Sequence, residues 1–435
     1  MQTTQPAPQP RRAALASFVG TTIEWYDFYS YATAAALVFG PLFFPGESRL
    51  LSLLASFGSF AIGFLARPIG GVLFGRIGDR LGRKRALMGT LSLMAIATVL
   101  IGCLPTYAQA GWIAPVALVA LRVLQGIAVG GEWGGAVLLA GEHAPASRRT
   151  FFASFAQLGS AGGLILSMLA FSAVGRLDHD ALMQWGWRLP FLASAVLLAV
   201  GFVVRRSVNE SPEFEAMRAA GDVAGRPLAE ALRAWPLIVL AIGANVYGIA
   251  GVYFSNIFMI SYATQYLALD RAMILDCMFW VAVLQFFVQL GAAHLADRFG
   301  TWRVLAIVAA CAIVVPFAML PLVRMGQPHT VFLGIAIATL CESGYYAVIA
   351  GFVTGMFAAR IRYTAISLSY QVCGAFAGGL TPLLATLLAD RFFPQWWPMA
   401  VFYAGSAMLS LVCVVWVGRV GRGREAGLPA TAASV

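Results

Sequence analysis

The chain has 435 residues, of which 60% are hydrophobic and only 11% are charged, and its mean hydropathy is +0.80. Soluble domains carry roughly a quarter of charged residues, so this composition excludes a soluble protein and indicates an integral membrane protein. The net charge of +10 is spread in short clusters between apolar runs, with no basic face of interleaved aromatics, which argues against nucleic-acid binding.

Apolar runs of about 20 residues, the length that crosses a bilayer, recur along the chain. We place twelve of them at about 14–41, 51–74, 86–105, 112–139, 151–174, 187–204, 237–262, 273–292, 304–323, 330–353, 364–389 and 398–417. The predicted organisation is a disordered tail (1–13), a six-helix bundle (14–204), a linker (205–236), a second six-helix bundle (237–418) and a short tail (419–435). The first run lacks a small-residue cleavage site, so we expect a retained span and no signal peptide.

Most arginines fall on one side of this pattern, together with both tails and the linker. Because cytoplasmic loops collect Lys and Arg, both termini are expected in the cytoplasm. The two halves also repeat each other: RRTFFASFAQ ends at Gln157 and RYTAISLSYQ ends at Gln371. Parallel six-span repeats are one way in which transporters build a site at mid-membrane.

The stretch GRIGDRLGRKR, Gly75 to Arg85, interrupts the apolar pattern most sharply, and AHLADRFGTWR is its weaker copy in the second half. We interpret both as cytoplasmic gate loops. The gate residues are Gly75, Asp79, Arg80, Gly82, Arg83 and Lys84 in the first copy, and Asp297 and Arg298 in the second. We expect Asp79 to cap or pair with the start of span 11 near Arg360 and Arg362. The alternative is a basic loop that only fixes orientation.

Charged residues inside predicted spans are costly, so they are candidate functional groups. Glu24 and Asp27 are three residues apart in GTTIEWYDFYSYAT and share a helix face, with Glu24 on the order of 15 Å from the cytoplasmic start of its helix. Two carboxylates this close cannot easily both ionise, so at least one is a candidate proton carrier. The alternative is permanent pairing with Arg67 or Arg122.

Span 4 carries Arg122, Gln125 and Glu132 in RVLQGIAVGGEWGG. The glycines of this motif are interpreted as a close helix-packing surface. Arg122 needs an anionic partner, and Glu132 is a further candidate for proton coupling. Arg67, in FLARPIGG, either snorkels to the interface or binds an anion in the cavity. Arg188, in WGWRLPF, is read as an anchor at the outer interface.

The second half is poorer in charge and contributes mainly neutral hydrogen-bonding groups. Glu342 is its one mid-span carboxylate. As substrate-binding candidates we take Arg67, Arg122, Arg188, Gln125, Gln157, Tyr247, Asn256, Gln285, Glu342, Tyr346, Tyr370 and Gln371. Each can equally bridge helices, and together they suit a polar, oxygen-rich small molecule.

Motifs of other protein classes are missing from the sequence. There is no phosphate-binding G-x-x-x-x-G-K-[ST] loop, no H-E-x-x-H and no G-x-S-x-G, so no enzyme activity is expected. The six cysteines lie singly in apolar segments and form neither a disulfide pattern nor a metal set. We therefore predict no metal and no cofactor.

These motifs resemble the major facilitator superfamily. GRIGDRLGRKR is similar to its signature loop between spans 2 and 3, and Arg122 with Gln125 and Gly126 is similar to its span-4 arginine motif. EWYDF, FFPGES, FLARPIGG, GGEWGG, EHAP and WGWRLPF resemble the metabolite:proton symporter family, which includes shikimate, α-ketoglutarate, citrate and proline/betaine permeases. The likeness covers most of 18–215.

The resemblance implies twelve helices in two bundles, alternating access and uptake driven by protons across a bacterial inner membrane. It gives Arg122 a role in proton coupling and places Arg67 and Arg188 where the α-ketoglutarate permease is thought to hold substrate carboxylates. Two features depart from the family: Thr301 and Trp302 replace the basic pair of the second gate loop, and the C-terminal tail has no heptads for a coiled coil.

The leading hypothesis is a monomeric, multi-pass symporter of protons with a small organic acid or related polar metabolite. Glu24, Asp27, Arg122 and Glu132 would couple the proton, and Arg67 and Arg122 would balance the substrate's charge. One alternative is an exporter or uniporter of another compound such as a drug. A second is a membrane sensor that binds its ligand without moving it.

Overall fold

A computed structural model of the protein describes residues 8–46 and 49–425. Helices α1 to α12 are Pro10–Ala34, Gly40–Phe43, Arg49–Leu81, Arg83–Cys103, Tyr107–Ala110, Ile113–Glu142, Arg149–Ala153, Phe155–Val174, His179–Ala181, Arg188–Arg206, Pro212–Ala219 and Pro227–Arg233. Helices α13 to α20 are Trp235–Tyr253, Met259–Ser261, Arg271–Phe299, Thr301–Arg324, Pro328–Thr354, Arg362–Cys373, Gly379–Phe392 and Trp397–Glu425. Short π-helical turns at Ala35–Phe39, Phe254–Phe258 and Gly374–Gly378 continue the first, seventh and eleventh spans.

Eleven helical segments of the described chain are long and apolar enough to cross a membrane. The first span is not among them, although α1 alone has 25 residues. It carries Glu24, Asp27 and several aromatic side chains, which lower its hydropathy.

The chain divides into two compact units. The first contains Met1–Arg233 and Ala358–Ala375, so that α18, the first part of the eleventh span, packs with the N-terminal helices. The second contains Ala234–Phe357 and Phe376–Val435. In the first unit, α3 packs along α6 and α1 packs along α8; in the second, α16 and α15 pack along α17.

The glycines of span 4 allow the close approach of α6 to α3. A Cβ atom on Gly126 would overlap the backbone of Gly63, and one on Gly130 would overlap the backbone of Arg67. Small residues are the usual means of bringing two helix backbones together in a membrane. The packing interpretation of this glycine motif agrees with these contacts.

The two predicted gate loops are each a single-residue turn and not a loop. Helix α3 runs to Leu81, and α4 begins at Arg83, so that Asp79 and Arg80 lie within the helix. Gly82 joins the two helices with a φ of 113°, and Gly300 joins α15 to α16 with a φ of 97°. Backbone in this region is essentially restricted to glycine.

Candidate functional site

Five charged residues of the first unit are buried in the middle of its helices, as the sequence predicts. Glu24 and Asp27 lie on α1, Arg67 lies on α3, and Arg122 and Glu132 lie on α6. Their exposed fractions range from 0% for Asp27 to 8% for Glu24 and Arg67. Buried charges need partners, so their contacts define the candidate site.

Asp27 is held by hydroxyl groups. Thr98 of α4 donates a hydrogen bond to its Oδ2 at 2.8 Å, and Ser194 of α10 donates to its Oδ1. Gln125 donates from Nε2 to Thr98 Oγ1 at 2.8 Å, and Arg122 donates to Gln125 Oε1 at 3.1 Å. Arg122 and Asp27 are therefore connected through two neutral side chains.

The two arginines of this region lie against a shared aromatic ring. The guanidinium of Arg122 lies 4.3 Å from the ring of Tyr31 and 5.7 Å from that of Phe28. Arg67 lies 4.1 Å from the ring of Phe64 and 5.1 Å from Phe28. Cations over aromatic faces are stabilised without being neutralised.

Arg67 is buried inside the unit, which favours the cavity interpretation over snorkelling to the interface. Within the described part of the chain, no carboxylate lies at ion-pair distance from it. A guanidinium held only by aromatic rings keeps its donors available for an anion. Arg67 therefore has the properties expected of a substrate-binding cation.

Glu132 already has a counter-ion in Arg205, which sequence reasoning placed in the linker. The guanidinium of Arg205 contacts both carboxylate oxygens of Glu132, and Thr90 donates to Glu132 Oε2 at 2.5 Å. Arg205 lies in the last turn of α10 and is only 2% exposed. In the sequence Arg205 and Arg206 stand together at the start of the predicted linker, and only the packing distinguishes the buried Arg205 from the exposed Arg206.

Arg188 occupies a different place from the other candidates. It is the first residue of α10 and donates to the carbonyl oxygens of Gly102 and Leu104 at 2.9 and 2.5 Å. Its guanidinium also lies 4.5 Å from the ring of Trp187. These contacts fasten the start of α10 to the end of α4, in keeping with an anchoring role.

The contact predicted between Asp79 and the start of span 11 is present. Asp79 Oδ1 accepts the backbone N–H of Tyr363 at 3.1 Å, and Oδ2 accepts that of Thr364 at 2.8 Å. These are N–H groups of the first turn of α18, where an anion is favoured by the helix dipole. Gly75, one turn earlier on α3, leaves room for Thr364, since a Cβ there would lie 2.7 Å from its Cα.

Arg83 extends this contact into a buried ion network. It donates to Asp79 Oδ1 at 3.2 Å, to Glu142 Oε2 at 3.3 Å and to the carbonyl of Ala359 at 2.9 Å. Arg362 of α18 in turn contacts Glu142 and Glu213 at 3.2 and 2.5 Å. Ion pairs thus connect the ends of α3, α4 and α6 and the helix α11 to the start of α18.

The remaining cationic gate residues lie at the edge of this network. Lys84 donates from Nζ to the carbonyl of Arg206 at 2.9 Å, and its backbone N–H donates to Glu210 Oε1 at 3.1 Å. Burial raises the pKa of Glu210. Hydrogen bonds from the backbone N–H groups of Ser211 and Lys84 and the charge of Arg83 oppose this shift. Arg80 is exposed.

Three of the predicted substrate-binding residues pack between helices of the first unit. Trp133 stacks on Tyr370 with ring centroids 3.7 Å apart, and its indole N–H donates to Gln157 Oε1 at 2.8 Å. Gln371 Nε2 donates to the carbonyl oxygens of Val129 and Gly130 at 3.3 and 3.1 Å. In this structure Gln157, Tyr370 and Gln371 therefore join α18 and α8 to α6.

The second unit has its own buried polar cluster around Glu342. Glu342 is fully buried, and Asn256 Nδ2 lies 3.5 Å from its Oε1. The hydroxyls of Tyr247 and Tyr403 are 3.2 Å apart, a pairing that the sequence did not reveal. Its other candidates are Gln285 and Tyr346, with exposed fractions of 8% and 5%.

The side chains of the described residues include no group of His, Cys, Asp and Glu arranged to hold a metal ion. Arginine, serine, threonine and glutamine donors dominate the site. Such a site can bind an anion and hold a carboxyl group that exchanges a proton.

Comparisons with known proteins give the site a context. Residues 13–238 match the family described as "Sugar (and other) transporter". The chain is 40% identical over 406 residues to the shikimate transporter of Escherichia coli (strain K12), a match that covers 92% of each chain. It is 36% identical over 419 residues to the inner membrane metabolite transport protein YhjE of the same organism, covering 94% of each.

A solved structure shares the fold at low sequence identity. The proton:xylose symporter XylE, bound to 6-bromo-6-deoxy-D-glucose, superposes with a TM-score of 0.75 at 17% identity, over 92% of this chain and 94% of that chain. The arrangement of helices described above is therefore that of a multi-pass membrane protein of known architecture.

Proposed function

The chain belongs to the sugar and other transporter family of the major facilitator superfamily, and from this premise we propose that it takes up a small organic acid together with protons. The family membership itself is shown, and with it the predicted all-α, multi-pass major facilitator fold is confirmed. The expectation that the protein is a transporter and not an enzyme is confirmed by the same relatives. The predicted location, a bacterial inner membrane, is likewise confirmed, and we further propose that both termini lie in the cytoplasm.

The observation that carries this proposal is the chain of contacts from Arg122 to Asp27 beside Arg67. Asp27 is completely buried and is held by the hydroxyls of Thr98 and Ser194. Hydroxyl groups can donate to a carboxylate or accept from a carboxylic acid, so this site tolerates both protonation states. Asp27 is accordingly the proposed proton carrier.

Arg122 would couple the proton to the substrate. When an anionic substrate binds Arg122 and Arg67, the field of these cations on the carboxyl groups of α1 weakens. The proton is then held more firmly, so that substrate and proton travel together. Glu132 is already paired with Arg205, and we therefore assign it to holding the site and not to carrying the proton.

The substrate class is proposed from the relatives together with the two arginines. The name of the Escherichia coli relative specifies shikimate, a cyclic hydroxy acid, and this chain matches it along 92% of its length. A carboxylate would bind the guanidinium groups in the forked geometry that arginine favours. Shikimate is therefore the first substrate to test.

The experiment is uptake of labelled shikimate by proteoliposomes with and without an inward proton gradient. We expect accumulation only with the gradient, and its loss when a protonophore is added. Asp27→Asn should reduce shikimate accumulation at least tenfold. Substrate counterflow should persist, because counterflow needs no net proton movement. Equal uptake with and without the gradient, for any transported acid, would refute the coupling.

A second candidate is transport of a cationic or zwitterionic compound. It is favoured by Glu342, whose fully buried carboxylate is paired with no arginine or lysine in the described part of the chain. A thermal-shift screen with organic acids, quaternary amines and aromatic acids separates the two. Stabilisation by quaternary amines alone would support the second candidate.

For the gate, we propose that the contact of Asp79 with α18 closes the cytoplasmic side during transport. The hydrogen bonds of its carboxylate to Tyr363 and Thr364 support this role. Releasing α18 would require these bonds and the Arg362 ion pairs to break together. The gate would therefore open in one cooperative step.

A further inference from the structure

The buried guanidinium of Arg205 has more hydrogen-bond donors than its partners use. An arginine side chain carries five N–H donors. The contacts with Leu87 and Glu132 use Nη1 and Nη2. Its Nε is buried and has no hydrogen-bond partner among the described residues. An unused buried donor is costly, so its presence suggests a second acceptor in another protonation state.

Gly20 places this guanidinium beside Glu24. A Cβ atom on Gly20 would lie 2.7 Å from Arg205 Nε and closer still to Nη2, so only a glycine leaves space for the group. Gly20 and Glu24 are four residues apart and therefore share a face of α1. Side chains on a helix lean toward its N-terminus, which directs Glu24 over Gly20. Arg205 thus packs on bare backbone next to the Glu24 carboxyl.

Glu24 has an unused acceptor at the same place. Its Oε2 is buried and accepts no hydrogen bond from any residue that the structure describes. A small cavity with room for about one water molecule is lined by Gly20, Glu24, Thr90 and Glu132, among others. The charged groups that act on Glu24 are Arg67, Arg205 and Asp27. Arg205 is in contact with two of the residues that line this cavity, since its guanidinium packs on Gly20 and pairs with Glu132.

We propose that Arg205 is the counter-ion that receives the carboxylate of Glu24 when this residue gives up a proton during transport. The proton leaves from the Glu24 carboxyl to water, and the carboxylate then accepts the N–H of Arg205 Nε. Nη1 and Nη2 stay on Glu132, so a single guanidinium holds both carboxylates. The inference rests on the proton-coupled transport proposed above. It adds Arg205 as the residue that positions Glu24, the second buried carboxyl group of α1 beside Asp27.

The test uses infrared spectroscopy of the full-length protein in lipid nanodiscs across a pH series. The carboxylic acid band that disappears in Glu24→Gln belongs to Glu24. In the double variant Arg205→Met with Glu132→Gln, the ion pair is removed as a unit and leaves no unpaired buried charge. We expect the pH at which half of the Glu24 band is lost to rise by about one unit or more. An unchanged midpoint would overturn the proposal.

A control and a second variant keep the test decisive. Arg218→Met with Glu215→Gln removes a partly exposed pair on α11 with the same change of charges and should leave the midpoint unchanged. Gly20→Ala displaces the guanidinium without altering any charge and should also raise the midpoint. Its control is Gly58→Ala, where a Cβ meets nothing within 4 Å. Equal midpoints in the two alanine variants would contradict the proposal even if the double variant fails to fold.

The titration needs no substrate, so it is independent of the proposed function. If shikimate uptake ignores the proton gradient while the midpoint moves in the double variant, the transport proposal fails and the Arg205 contact stands. If uptake follows the gradient but the midpoint does not move, the role of Arg205 fails alone.

Discussion

The two glycine turns, at Gly82 in the first gate region and at Gly300 in its second copy, have similar backbone conformations but different surroundings. Gly82 and Gly300 each join two long helices with a positive φ. Around the first turn, Arg83 is fully buried and paired with Asp79 and Glu142. Around the second, Trp302 packs against Gly418, where a Cβ would lie 2.9 Å from the indole ring.

The difference teaches which part of the motif is structural and which part is specific to one half. A single residue that reverses two helices requires a backbone conformation that glycine alone adopts easily, so both copies keep it. At the first copy, the N–H groups of α18 and the side chain of Arg362 complete the buried ion network. We therefore assign the gate to the first copy, and each prediction below contrasts the two.

The largest difference is expected between Asp79→Asn and Asp297→Asn. An asparagine at position 79 weakens both backbone hydrogen bonds to α18 and leaves Arg83 with one carboxylate fewer. Transport should slow by roughly tenfold or more, which corresponds to a rise of about 1.4 kcal/mol in the activation free energy. Equilibrium substrate binding should stay nearly unchanged. Uptake rates and binding by thermal shift measure the two quantities.

Asp297→Asn in the second copy is the matched control, and we expect its effect on the rate to be several-fold smaller. Equal slowing in both variants would show that the two turns gate symmetrically. Lost binding in Asp79→Asn would show that the residue serves the substrate site and not the gate.

A smaller difference is expected between Gly82→Ala and Gly300→Ala. Both changes force alanine into a glycine conformation, at a cost of about 1–3 kcal/mol. At position 82 the new Cβ also lies 2.7 Å from Glu210 Cδ, whereas nothing lies within 4 Å at position 300. Thermal unfolding in detergent should therefore show a lower midpoint for Gly82→Ala. Equal midpoints would mean that Glu210 moves aside without cost.

The smallest effect is expected at Glu213. This residue forms ion pairs with Arg362 and Arg149 beside the first gate region. Burial acts to raise its pKa, but the hydrogen bonds and charges of Arg362 and then Arg149 outweigh burial and hold the pKa below its ordinary value of 4.5. A lowered pKa stabilises the folded protein fully above that ordinary value, and the contribution is lost as pH falls through the lowered value.

Glu213→Gln should therefore reduce the free energy of unfolding at neutral pH by less than about 1 kcal/mol, as expected for a partly exposed pair. The difference from the unmodified protein should vanish in strong acid, below the lowered pKa. Thermal unfolding followed from about pH 7 to about pH 3 measures it. A difference that persists unchanged in acid would contradict the ion-pair explanation.

Much of the site could be predicted because charged residues inside apolar runs are conspicuous. Glu24, Asp27, Arg67, Arg122 and Glu132 stood out against their surroundings, and the structure buries all five. The contact of Asp79 with the start of span 11 was also anticipated. The partners of these residues were harder to predict, because a partner can come from any helix of the bundle.

Arg205 illustrates the limit. It stands at the end of an apolar run beside a second arginine, a pattern typical of an interface, yet its guanidinium pairs with Glu132 across the bundle. Gln157, Tyr370 and Gln371 are candidate substrate ligands that can equally bridge helices, and in this structure they contact neighbouring helices. Their sequence context is the same for both roles, since a buried amide or phenol needs a partner in either case.

The sequence by itself determined the membrane-spanning class, the repeat and the family. These follow from hydropathy and from local motifs, which depend on residues close together in the chain. The tertiary structure alone decided that Glu132 is neutralised by Arg205, that Asp27 meets Thr98 and Ser194, and that α18 packs with the first unit. Which charges meet is set by helix packing, because only the fold brings residues distant in sequence within hydrogen-bonding distance.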